Sequence, residues 1–146
     1  MLDWVRDSPF HTGVLGHSIH PPLTDVTLGC WFSTSVLDLA GGKDSRRAAT
    51  LLAGLGFAAA VPTAFAGAAD WTYLAGPERR LGAVHALGTD IASFLFAGSV
   101  VARLLGKHRT GVKLALAGNV VVAAAGFLGG HLALQRGTAR REAGDE

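Results

Sequence analysis

Apolar residues run in four long blocks, and the short stretches between them carry most of the charge. About 20 apolar residues are needed to span a hydrocarbon layer of roughly 30 Å at 1.5 Å per residue. The blocks at about 21–40, 48–69, 82–105 and 112–134 therefore predict four membrane-crossing helices. Pro21 and Pro22 suit the first turn of the first helix, where missing N–H groups do no harm, and Gly41-Gly42 ends it. Alanine and glycine dominate the second helix, and Pro62-Thr63 predicts a kink near its middle. Asp70 to Leu81 reads as a polar connection with interfacial aromatics, and Gly106 to Gly111 as a tight basic turn. The fourth block carries Gly118, Gly126, Gly129 and Gly130, small residues that let helix backbones approach closely. The expected fold class is all-α: an integral membrane four-helix up-down bundle. No internal sequence repeat stands out in this pattern.

The flanks complete the expected organisation. Residues 1–20 predict a short interfacial segment, with Trp4, Val5 and Phe10 at headgroup depth, and residues 135–146 a flexible charged tail. Asp3, Arg6 and Asp7 argue against a cleavable signal peptide. Four spans place both termini on one side of the bilayer. Six basic residues fall on that side and seven on the other, so the positive-inside rule leaves the orientation open. With 49% hydrophobic and 16% charged residues and a mean hydropathy of +0.35, the composition suits a lipid environment. A net charge of +2 with no basic patch gives no sign of nucleic-acid binding. Cys30 is the lone cysteine, which rules out an intrachain disulfide.

Histidines carry the candidate chemistry. His17, His20, His85 and His131 thread to the same edge of the membrane, and His85 and His131 come to similar depth on the third and fourth spans. An imidazole in hydrocarbon is costly without a partner, so two at matching depth suggest a pair. The leading expectation is a b-type haem with His85 and His131 as axial ligands and His20 or His17 as an alternative ligand. Arg79, Arg80 and Arg136 would stand near its propionates. A second expectation is a single divalent zinc, copper or iron ion held by His17, His20, His85, His131 and Asp25. A third is a scaffold subunit whose histidines bond helices together. Asp38 reads as a solvated residue near the opposite interface. No nucleophile motif with an ordered base and no phosphate-cradling loop is present, so no catalytic residue is assigned.

Four stretches together resemble a known family: His17-Ser18-Ile19-His20-Pro21-Pro22-Leu23-Thr24-Asp25, Thr63-Ala64-Phe65-Ala66-Gly67-Ala68-Ala69-Asp70-Trp71, Val84-His85-Ala86-Leu87 and Gly129-Gly130-His131-Leu132. The chain resembles the DUF2231 family of small four-helix bacterial membrane proteins from about residue 13 to 137. The resemblance implies a bacterial cytoplasmic membrane and recurring positions at His17, His20, Pro21, Pro22, Asp25, Asp70, Trp71, His85, Gly130 and His131. The architecture is similar to that of di-haem cytochromes of the b561 sort, and some members look like fusions to Rieske-type domains. That implies electron transfer with a quinone-linked complex or a separate Rieske-type partner. A homo-oligomer is also compatible with the small-residue faces.

Overall fold

The computed structural model describes residues 19–132, which form four helices and no strand. They are α1 (His20–Ala40), α2 (Arg46–Trp71), α3 (Gly76–Leu104) and α4 (His108–Gly130). The expected N-terminal interfacial segment, apart from its last two residues, and the charged tail lie outside the described residues. Two boundaries shift from expectation. The stretch from Gly76 onward starts α3 rather than continuing a connection, because Pro77 suits the first turn and Glu78 places a negative charge at the positive end of the helix dipole. α4 likewise begins at His108, inside the turn expected to run to Gly111.

Three of the helices, α2, α3 and α4, are long and apolar enough to cross a membrane. α1 falls short of that measure because Asp25, Asp38 and several threonines and serines lower its apolarity. Those polar residues are divided between its two faces. Thr27, Thr34 and Ser35 are buried, while Val26, Phe32, Val36 and Leu39 face outward. Thr27 and Thr34 direct their hydroxyls to the carbonyls of Leu23 and Cys30, which satisfies them without water.

The bundle is packed from small residues and covered by large ones. Ala49, Ala53, Ala66, Ala69, Ala92 and Ala115 are fully buried, whereas Phe94 and Phe127 are 77% and 76% exposed. In water this would expose a large apolar surface; in lipid, where apolar side chains gain nothing by leaving the tails, close backbone packing is what joins helices. α1 pairs with α2 and α3 with α4, and contacts of α2 with α3 and of α1 with α4 close the ring.

Side chains of α1 and α3 also meet across the centre at three levels. His20 approaches His85, Trp31 stacks on Phe96 with ring centroids 4.3 Å apart and an interplanar angle of 2°, and Arg103 pairs with Asp38. Each pair is separated by 65 residues, so α1 and α3 run parallel and in register.

The second helices repeat as well. Trp31 lies against Gly56 and Phe96 against Gly118. Thr34 donates to the Ala49 carbonyl at 3.5 Å, and Ser99 to the Gly111 carbonyl at 2.7 Å. The chain is thus a duplicated helical hairpin, α1–α2 followed by α3–α4, with a pseudo-two-fold axis along the bundle. This corrects the expectation of no repeat. Read in that register, His20-x-x-x-Thr24-Asp25-Val26 and His85-x-x-x-Thr89-Asp90-Ile91 are the same motif.

Candidate functional site

The site at one end of the axis is built from one histidine of each hairpin. The Nδ1 of His20 bonds the carbonyl of Thr63 on α2 at 3.0 Å, and the Nδ1 of His85 bonds the carbonyl of Ala125 on α4 at 2.7 Å. A carbonyl only accepts, so each Nδ1 carries the proton. In the neutral ring this leaves the lone pair on Nε2. The two rings stand edge to face, their centroids 6.5 Å apart.

Glycines make this approach possible. A Cβ at Gly67 would lie 2.9 Å from the His20 ring, and one at Gly129 would lie 2.7 Å from the His85 ring. Both glycines sit one turn after the carbonyl that their histidine engages. Each hairpin therefore supplies the same unit: a histidine, a carbonyl to orient it and a glycine to admit it. Thr24 donates to the His20 carbonyl at 2.9 Å and lies 3.5 Å from its Nε2. Thr63 bonds Thr27 at 3.1 Å, which ties α2 to α1 beside the site.

Of the residues expected to share a site, the structure brings together His20 and His85. His131 caps the end of α4, two residues beyond Gly129 and so about 200° further round a helix. Among the described residues, the bonds and ring contacts of His85 are to Ala125 and His20 and not to His131. Asp25, five residues after His20, is exposed on the outside of α1, and no group of three metal-ligating side chains occurs among the described residues. Arg79 places its guanidinium 4.3 Å from the Trp71 ring centre, and the Trp71 Nε1 donates to the Arg79 carbonyl. Arg80 is exposed. His17 and Arg136 lie outside the described residues.

A family model described as a predicted membrane protein, DUF2231, matches residues 16–141. The chain belongs to that family. No curated protein and no solved structure matches it. The DUF2231 match spans both hairpins, so the duplicated arrangement lies within the family region.

The DUF2231 bundle also holds a charged cluster that the residue pattern did not reveal. At the end of the axis opposite the histidines, Arg103 donates to both oxygens of Asp38, to Oδ1 at 2.9 Å, and both side chains are fully buried. Arg103 Nε donates to Ser99 Oγ at 3.1 Å, and His108 Nε2 stands 3.8 Å from Asp38 Oδ1. The expectation of a solvated Asp38 is therefore corrected: the carboxylate faces the bundle centre because Arg103 reaches it across the diagonal. The 65-residue register could have identified both pairs in advance, since it aligns His20 with His85 and Asp38 with Arg103.

Proposed function

We propose that His20 and His85 are the two axial ligands of a haem iron, and that the protein is a b-type electron carrier exchanging electrons with a quinone or a respiratory redox partner. The observation that carries this is the matched pair of Nδ1-to-carbonyl bonds, which puts a lone pair on the Nε2 of each of two rings 6.5 Å apart. Metal-ligating histidines characteristically donate their other N–H to a carbonyl or carboxylate, which fixes the ring and raises its basicity.

Ligand number favours haem over a bare ion. A haem iron takes one or two protein ligands, whereas a structural divalent site takes about four. The donor set fits, and the Gly67 and Gly129 cradles hold each ring where a side chain would otherwise intrude. Bound haem would supply one-electron exchange; the chain's own part is to orient two neutral imidazoles and shield them from water. Arg80, exposed near the start of α3, would supply a cation for a propionate. The apolar outer face of α1 supports its serving as a fourth span in a bacterial cytoplasmic membrane, with both termini on one side.

A reduced-minus-oxidised spectrum of the detergent-purified protein, with haem extraction and metal analysis, tests the proposal. Wild type and His131→Ala are expected to show a sharp α-band, and His20→Ala and His85→Ala to lose it. Stoichiometric metal without porphyrin would replace haem by a bare ion. Absence of both would leave the histidines as helix-joining groups.

A further inference from the structure

We infer that the Asp38–Arg103 pair is the recognition element that makes the two hairpins pair with each other rather than each with its own kind. The hairpin face along the axis is thereby an interaction surface whose partner is specified. The reasoning starts from the pseudo-two-fold: residues on such an axis meet their own equivalents, as at an isologous dimer interface. The three axial levels are His20 with His85, Trp31 with Phe96, and Asp38 with Arg103. The first two are self-compatible. Two copies of the α1–α2 hairpin would set histidine against histidine and tryptophan against tryptophan, and two copies of α3–α4 would set histidine against histidine and phenylalanine against phenylalanine.

The third level admits only the mixed pair. Like hairpins would oppose two aspartates or two arginines at a place where both side chains are fully buried. Two arginines that close are not tolerated away from water, and two aspartates there must share a proton, whereas the mixed pair neutralises itself. The surroundings on the page reinforce the assignment. Ser99 accepts from Arg103 Nε while donating to the Gly111 carbonyl, and a Cβ at Gly111 would lie 2.5 Å from Arg103 Cγ, so α4 is shaped around an arginine on α3. On the α1 side the carboxylate is reached by Arg103 and approached by His108. Coupling at this level also sets the register that delivers His20 to His85. The inference holds whatever those histidines bind.

The test uses the full chain in detergent, with the monomer peak on size exclusion and the melting transition as readouts. Asp38→Arg, which sets two arginines on the axis, is expected to abolish the folded monomer, and Arg103→Asp, whose paired carboxyls must share a proton, to lower the melting transition more as pH rises. The exchanged double variant, Asp38→Arg with Arg103→Asp, made with Ala49→Gly so that α2 offers the space Gly111 gives Arg103 on α4, is expected to recover the folded monomer. The neutral double variant, Asp38→Leu with Arg103→Leu, is expected to fold as well, because it removes the conflict along with the attraction. A folded monomer from Asp38→Arg, or an Arg103→Asp protein that melts with wild type at every pH, would overturn the inference. So would failure of the exchanged variant while the neutral one folds, and so would failure of both doubles, since the two residues would then act by something other than their charge relation.

Discussion

Gly129→Ala is the sharpest test of how the histidine site is held. The added Cβ would lie 2.7 Å from His85 Cε1 and 2.9 Å from its Nδ1, closer than real Cβ atoms come to anything. The ring cannot yield cheaply, because its Nδ1 is bonded to the Ala125 carbonyl at 2.7 Å. Forcing in a methyl group costs about 1–3 kcal/mol, and losing the hydrogen bond about 0.5–1.5 kcal/mol. Replacing glycine by alanine inside a helix returns about 1 kcal/mol. The clash wins, and the variant is expected to be less stable by about 0.5–3.5 kcal/mol. Gly126, three residues earlier on α4, has nothing within 4 Å of its would-be Cβ, so Gly126→Ala keeps the gain and avoids the clash. Thermal melting of the detergent-solubilised protein should move the two variants in opposite directions, by about 2–4 °C per kcal/mol. A Gly129→Ala protein that melts with or above wild type would refute the claim that His85 is seated against α4.

Three further outcomes follow from the buried polar groups and the central stack. Ser99→Ala removes a hydroxyl that donates to the Gly111 carbonyl at 2.7 Å and accepts from Arg103, and chemical or thermal unfolding should show a loss of about 1–3 kcal/mol. Asn119→Ala breaks the link from α4 to the Trp31 carbonyl at 3.1 Å and to Ser35 Oγ at 2.7 Å; a loss of similar size, about 1–3 kcal/mol, is expected in the same assay. Trp31→Phe should cost less than about 1.5 kcal/mol, since the indole N–H it deletes has no hydrogen-bond partner among the described residues and Phe already serves at the equivalent position, whereas Trp31→Ala should cost about 3–5 kcal/mol.

The helical architecture was legible because apolar block length is a one-dimensional property: three of the four expected spans are long and apolar enough to cross, and all four blocks are helical. Boundaries near Gly76 and His108 are less so, because the charges there fill the terminal turns of helices rather than a connection. Depth brings His85 level with the end of α4 but does not give the direction in which a side chain leaves its helix: His131 and Gly129 sit at nearly the same level, and it is Gly129 that faces His85. Asp38 and Arg103 were missed for the complementary reason. Each lies near a helix end, where a charge ordinarily reaches water, and only the diagonal packing of α1 on α3 turns them inward. The repeat was hidden by substitutions that preserve role and not identity, such as Trp31 for Phe96 and Thr34 for Ser99.

The parallel sense of the duplication gives the molecule sidedness. Had the two hairpins been inverted relative to each other, each histidine would lie near a different face of the bilayer, and the two faces would be chemically alike. Because α1 and α3 run the same way, both histidines gather at one end and the ion pair closes the other. The two ends of the axis are therefore chemically unlike: a pair of imidazoles at one and a buried, mutually neutralising ion pair at the other.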